Sequence, residues 1–500
     1  MSSSRRGACP REEIQRLARG PTPEVADDEQ QAFESEAALA VSRAAAQPPE
    51  TNRGSRKGRN SSRRLSLLLF SWLVVSGCDQ ELPLDWPQWR GSAGLGVSAS
   101  EVLPVEWSLE SANLRWSVPL TGRGNSSPIV AVDTVYVTEA RRAAQAPEGV
   151  GKAFERWLIA IDAVSGDLKW EASVATTVAE KKHWLSTFAA TTPAADGEAV
   201  YVYVGSHLAR VLHSGEIDWV VEVDPAYAAH SRYGAASSPV LASDVVVVMQ
   251  DREWGYTRTK DAGWLAAFRR DTGALRWKVE WAGQEGPCCT YTTPLVLAGS
   301  RGRERLIVAW SWFVREYDLE TGDVLWSRDY EINQLASSPV FEDDYLVVSG
   351  GAHAVKATRA FRFAVGESAS EPSLIWGNRE AVPETSSPLL LDGLLYTVTD
   401  FGVMSCQRAS TGELLWRNRL PKGQYRSSLI AGGGNIYAGS QRGVIVVAAG
   451  ETFRLLANNK LGGRSSNASP AIGAGCLLVR TETHLHCIGD ATEGTAPETT

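Results

Sequence analysis

Residues 386–416 read SSPLLLDGLLYTVTDFGVMSCQRASTGELLW: a small-polar pair and a proline (Ser386-Ser387-Pro388), short hydrophobic runs, then a turn and a tryptophan (Thr411-Gly412-Glu413-Leu414-Leu415-Trp416). The opening phrase recurs as Ser126-Ser127-Pro128, Thr191-Thr192-Pro193, Ser237-Ser238-Pro239, Thr292-Thr293-Pro294 and Ser337-Ser338-Pro339. Two degenerate copies follow, Ser427-Ser428-Leu429 and Ala468-Ser469-Pro470. Successive starts lie 65, 46, 55, 45, 49, 41 and 41 residues apart, a period that suits a four-stranded propeller blade.

The closing phrase is as regular: Ser165-Gly166 to Trp170, Ser214-Gly215 to Trp219, Thr272-Gly273 to Trp277 and Thr321-Gly322 to Trp326. The Ser-Gly or Thr-Gly pair predicts a hairpin turn with glycine at positive φ. The tryptophan then falls at one fixed place on an outer strand, where an indole can pack between blades. Residues Leu374-Ile375-Trp376 keep only the end of the phrase, and Leu456 takes the tryptophan position in the seventh copy.

Eight inner strands need eight outer strands, but the chain runs out after the third strand of the last copy, Leu485 to Ile488. The missing one stands at the front, Asn113-Leu114-Arg115-Trp116-Ser117-Val118. Pairing the two ends closes the ring and leaves no open seam. The predicted fold is therefore all-β: an eight-bladed β-propeller of four-stranded antiparallel blades over residues 113–489, closed by an N-terminal outer strand.

Composition agrees. The chain has 500 residues with 45 Gly, and its 18 Trp outnumber both 13 Tyr and 11 Phe, as a repeat using one indole per copy requires. Residues 78–500 carry 38 basic and 49 acidic side chains, which argues against nucleic acid as a partner. The one long apolar run, Leu65 to Val75, is too short to span a bilayer as a helix, which needs about 20 residues. It fits the core of a signal peptide over 61–77, with Arg56, Lys57, Arg59, Arg63 and Arg64 before or around its start. Val75-Ser76-Gly77-Cys78 resembles a bacterial lipobox, which implies lipidation of Cys78 and anchoring to the periplasmic side of the inner or outer membrane. Residues 1–60 read as a disordered lead or an overcalled start, 78–112 as a tether and lead-in, and 490–500 as a disordered tail.

The repeated unit resembles the pyrroloquinoline-quinone (PQQ) repeat, and Trp86-Pro87-Gln88-Trp89-Arg90-Gly91 looks like the lead-in of bacterial PQQ-repeat lipoproteins. Two branches share that repeat: quinoprotein alcohol dehydrogenases, and cofactor-free scaffolds such as the outer-membrane β-barrel assembly lipoprotein. Fold alone does not separate them. The adjacent pair Cys288-Cys289 is similar to the vicinal disulfide that those dehydrogenases carry near the quinone; the alternative is two structural or free thiols. The dehydrogenase reading would bring PQQ and calcium, yet no recognisable calcium-and-quinone motif and no CxxCH haem segment is present.

In a propeller the loops leading into the inner strands form a funnel. The predicted funnel residues are Arg123, Asn125, His230, Arg232, Tyr233, Tyr291, Gln334, Glu384, Tyr425, Arg426, Arg464 and Asn467. Arginine and tyrosine in that number suit an anion or an extended peptide. Cys476 and Cys487 fall on one hairpin and can form a disulfide. His484 and His486 share a strand face, but no third or fourth metal ligand accompanies them, and no metal site is expected. Glu139 to Arg156 and Arg252 to Gly263 (with Trp254 and Tyr256) read as long loops on which partners dock. No GxSxG, P-loop or HExxH motif occurs. The leading expectation is a membrane-anchored extracytoplasmic scaffold for a protein or peptide partner, with no cofactor. The alternatives are a PQQ- and calcium-dependent alcohol dehydrogenase and a carbohydrate-binding propeller.

Overall fold

Strands of β-branched and aliphatic residues such as Val245–Gln250 (VVVVMQ) are buried on both faces, which marks them as interior strands of stacked sheets. Strands such as Leu414–Arg419 (LLWRNR) bury only the tryptophan fully and place charge on the rim. The computed structural model describes residues 85–99, 102–145, 152–225, 234–251, 263–281, 290–298, 303–352, 355–364, 371–462 and 467–489. Every regular element among them is a strand.

The strands form eight four-stranded antiparallel sheets. Blade one runs from Ile129–Ala131 at the hub through Thr134–Arg142 and Ala153–Asp162 to Leu168–Val178 at the rim. Blades two to seven repeat that order and end in the outer strands Ile217–Glu222, Leu275–Glu280, Val324–Asp329, Ser373–Asn378, Leu414–Arg419 and Leu455–Lys460. Blade eight takes Ala471–Gly473, Cys476–Arg480 and His484–Ile488 from the end of the chain and Leu114–Pro119 from the front. Trp116 lies opposite Cys487 and Pro119 opposite His484 in that seam.

One irregularity recurs in every blade. A bulge interrupts the pairing of the third and outer strands beside the tryptophan position, as at Ala160/Ile161 opposite Trp170 and Cys406/Gln407 opposite Trp416. The extra residue twists the outer strand and aims the indole at the next blade. In blade seven the residue at that register is Ala457, opposite Val446, and not Leu456 as the sequence suggested. The turn before it is one residue longer, closed from the Ala448 amide to the Arg454 carbonyl where blade six closes from Arg408 to Glu413, and this moves the register by one.

The aimed indoles lock neighbouring blades. Trp116, Trp170, Trp219, Trp277, Trp376 and Trp416 donate their Nε1 hydrogens to Ala163, His213, Arg270, Leu319, Ala409 and Gly450 carbonyls at 2.7–3.1 Å, each on the following blade. The turn glycine of that following blade presses on the ring. A Cβ at Gly166 would lie 2.7 Å from Trp116, and one at Gly412 2.7 Å from Trp376, with φ of +79° and +74°. The Ser/Thr-Gly phrase of one blade is therefore the seat for the tryptophan of the blade before it.

The two ends of the long loop expected from Glu139 to Arg156 are strand, Glu139 to Arg142 and Ala153 to Arg156, and residues 146–151 lie outside the described residues. Pairing of the second and third strands of blade one extends to Arg142 opposite Phe154. Cys476 and Cys487 are joined as a disulfide, their Cα atoms 5.8 Å apart. Cys487 lies opposite Leu478, so the bridge runs diagonally across the hairpin.

Candidate binding face and hub cavity

The second residue of each small-polar pair joins a closed circuit at the hub. The Ser127 amide donates to Thr192 Oγ1, Thr192 to Ser238, Ser238 to Thr293 and Thr293 to Ser338, at 2.8–3.1 Å. Ser338 then donates to Ser387, Ser387 to Ser428, Ser428 to Ser469, and Ser469 back to Ser127, at 2.9–3.0 Å. Inner strands of neighbouring blades do not pair as a sheet, so each buried N–H takes a hydroxyl from its neighbour. The degenerate copies Ser427-Ser428 and Ala468-Ser469 keep the residue that the circuit uses. The first-position hydroxyls of Ser126, Thr191, Thr292 and Ser337 turn back into their own blade, as Thr292 Oγ1 does to the Ala309 carbonyl at 2.7 Å.

This belt lines a cavity of about 560 Å³. Its far end is occupied by the stretch expected as tether and lead-in. Trp86 pairs with Val130 of blade one, the Pro87 carbonyl accepts from Ala195 of blade two, and Val97 bridges Ala431 of blade seven. Trp89 meets the cavity from that end. Arg90, 1% exposed, reaches the Pro388 carbonyl at 2.6 Å, and burial lowers its pKa to about 9. Residues 103–107 then run outward, the Pro104 carbonyl accepting from Tyr437 and the Trp107 amide donating to Asn459. At the near end His183, Leu185 and Ser186 reach the cavity from the connection between blades one and two.

Of the predicted funnel residues, Asn125, Tyr291, Gln334, Glu384, Arg426 and Asn467 line the cavity. Asn125 and Asn467 both donate to the Leu185 carbonyl, at 2.9 and 3.0 Å, and so hold the 182–188 segment across the mouth. Arg123 lies outside, in a neighbouring groove that Asn125 and Asn467 share. Tyr425 is corrected: it is 1% exposed, its hydroxyl donates to the Pro421 carbonyl at 2.5 Å, and its ring seats Gly402. Tyr425 packs inward because the turn at Gly402 offers its ring a slot, whereas Tyr291, in the same place before its pair, reaches the cavity. His230, Arg232, Tyr233, Arg464, Cys78, Cys288, Cys289, Trp254 and Tyr256 lie outside the described residues. Sequence reading missed the 182–188 segment, whose signal was the longest spacing between blade starts, 65 residues.

Charge at the mouth is compensated locally. Glu384 pairs with Lys356. Asp400 accepts the Glu384 and Thr385 amides at 3.2 Å each and the Thr385 hydroxyl at 3.1 Å, and Arg426 stands 3.6 Å from it. Burial, reinforced by the neighbouring Glu384 charge, pushes the Asp400 carboxyl up. Burial also lowers the His183 pKa, with Arg426 and Lys182 acting in the same direction.

A calcium-bound quinone requires several convergent oxygen ligands, carboxylates foremost. Glu384 is the single carboxylate among the described cavity residues, and it is already held by Lys356. The described residues contain no cluster of three or more His, Cys, Asp or Glu side chains placed to hold a metal. Among the described residues the donor set does not fit the cofactor.

The closed ring, its hydroxyl hub and its tryptophan locks define a PQQ-repeat β-propeller. The family model described as outer membrane protein assembly factor BamB matches residues 150–287 and 313–495, and the chain belongs to that family. No curated protein matches it. BamB from Moraxella catarrhalis is similar in fold, with a TM-score of 0.50 at 14% identity over 77% of this chain and 98% of that one. A europium-containing methanol dehydrogenase gives 0.45 at 13% identity, over 73% and 90%. The quinohemoprotein alcohol dehydrogenase from Comamonas testosteroni gives 0.41 at 11% identity, over 83% and 82%.

Proposed function

We propose that this protein is a non-catalytic scaffold, anchored to a membrane through Cys78 on the extracytoplasmic side, that binds a protein or peptide partner in outer membrane protein assembly. The observation that carries the reading is the use made of the hub. Its eight hydroxyls accept backbone N–H groups, the lead-in occupies its far end, and its one described carboxylate is neutralised by a lysine. The interior of the ring is committed to holding the blades together, which leaves recognition to the rim and mouth. Family membership supports the same assignment.

The test is addition of PQQ and Ca²⁺ to the purified protein, followed by spectroscopy and dye reduction with an alcohol panel. The expected result is no stoichiometric chromophore and no reduction; a bound absorbing quinone overturns the scaffold reading. The anchor is tested separately. Cys78→Ala should release the protein from the membrane fraction, and unchanged fractionation would refute lipidation at that residue.

A further inference from the structure

A second concavity of about 570 Å³ lies beside the hub cavity, on blade one. It exists because that blade is overbuilt. Its second, third and outer strands run 9, 10 and 11 residues, where each of the three in blade two has six. Residue Arg123 adds its backbone to the extended edge, exchanging hydrogen bonds with Ala140 at 3.2 and 2.9 Å. The opposite wall is the segment leading to blade two, fixed by the buried pair Arg156–Glu180 at 2.6 Å. Phe154 and Phe188 meet across this junction with ring centroids 4.1 Å apart, and Trp184 stands 70% exposed beside them.

The charge of the groove opposes that of the molecule. Arg123, Arg141, Arg142 and Lys182 line it, with Glu482 as its one described acidic residue. Arg141 is paired with Glu139 and Glu171. No described carboxylate forms an ion pair with Arg123, Arg142 or Lys182, although residues 78–500 carry more acidic than basic side chains. Lys182 donates to the Ser186 carbonyl at 2.6 Å, and its pKa is lowered by burial and by Arg123, with Glu180 opposing. Three cations held near one another with no direct ion pair to a described carboxylate repel one another, and a bound carboxylate relieves that repulsion. The aromatic wall adds a requirement that a simple inorganic anion does not meet: the ligand must also carry an apolar group.

We propose that this groove is the docking site for an acidic peptide segment of the partner, its carboxylates held by Arg123, Arg142 and Lys182 and an aromatic or aliphatic side chain laid against Trp184 and the Phe154–Phe188 pair. The proposal rests on the scaffold reading and narrows it to one surface and one ligand chemistry.

The experiment is fluorescence anisotropy with the purified protein and a labelled, end-blocked peptide of sequence Asp-Glu-Phe-Glu-Asp. Binding should weaken steeply with salt, and the double variant Arg123→Gln/Arg142→Gln should lose about tenfold or more in affinity. Both arginines are exposed, so its thermal midpoint should match the wild type, which separates lost binding from lost folding. Trp184→Ala should weaken this peptide but not its Asp-Glu-Gly-Glu-Asp analogue. Equal binding of the Asn-Gln-Phe-Gln-Asn peptide would overturn the proposal. So would unchanged affinity in the double variant, or binding to vesicles rich in anionic lipid without binding to the peptide. A failed peptide titration with no quinone bound removes this site alone, whereas a bound quinone removes the scaffold reading itself.

Discussion

Adjacent blades are joined twice, by a hydroxyl at the hub and by an indole at the rim, and the two joints differ in what they tolerate. The hub joint is made eight times in the same way, at 2.8–3.1 Å, even in the copies whose flanking residues have drifted to Leu429 and Ala468. The rim joint has two departures. Trp326 turns its Nε1 to Glu316 of its own blade at 2.6 Å, where Arg305 also pairs with that carboxylate, and blade seven has Ala457 in place of an indole. The difference follows from radial geometry. At the axis, strands approach until only a small side chain fits, and each buried N–H there must find an acceptor. At the rim the blades splay, and the space can be filled by an indole, an ion pair or several aliphatic side chains. Specificity of fold concentrates where room is least.

Four measurements would sharpen or break that contrast, taken from the largest expected effect downward. Trp116→Ala strikes the rim at the seam that closes the ring, where the indole is 7% exposed and bonded to Ala163. A loss of about 4 kcal/mol in denaturant stability is expected; under ~1 kcal/mol would show that the rim lock is dispensable. Gly412→Ala forces a Cβ to within 2.7 Å of Trp376 at a φ of +74°, which should cost about 3 kcal/mol from overpacking and backbone strain. Ser469→Ala leaves the buried Ser428 amide without its acceptor at 2.9 Å, for about 2 kcal/mol. If that substitution proves neutral, the hub circuit is an accompaniment of close packing and not a requirement.

The smallest effect is a pH dependence in the closing blade. Burial, with His484 adding to it, lowers the His486 pKa from 6.5 to about 4. The unfolded chain therefore binds a proton that the folded one refuses, so stability falls as pH drops through that window. The expected difference is about 1.5 kcal/mol between roughly pH 6.5 and 5, seen in urea titrations and absent in His486→Gln. A variant with the same pH slope as the wild type would assign the dependence elsewhere.

Much of the fold was legible because both joints leave marks on the sequence at fixed spacing. Ser386-Ser387-Pro388 and Thr411-Gly412 through Trp416 each encode one contact with a neighbouring blade, and repetition made them readable. The candidate site was legible only in part. Asn125, Tyr291, Gln334, Glu384, Arg426 and Asn467 reach the cavity because they precede an inner strand, and that position is a matter of sequence. Tyr425 precedes one too, yet points inward, since the slot it fills is shaped by Gly402, 23 residues upstream. The groove on blade one was hidden altogether: its cations come from three separate segments, around 123, 142 and 182, which pattern reading has no reason to join.

The sequence by itself determined the number of blades, the strand supplied from the front and the residues that seam them, because each is a local pattern repeated at a near-constant period. Tertiary structure alone decided that the lead-in with Trp89 meets the far end of the hub, that a longer turn puts Ala457 rather than Leu456 in the tryptophan's place, and that three cations with no ion pair among the described residues share a groove with aromatic rings. Those outcomes depend on close packing and charge summed over residues far apart in the chain, and no local spacing carries that sum.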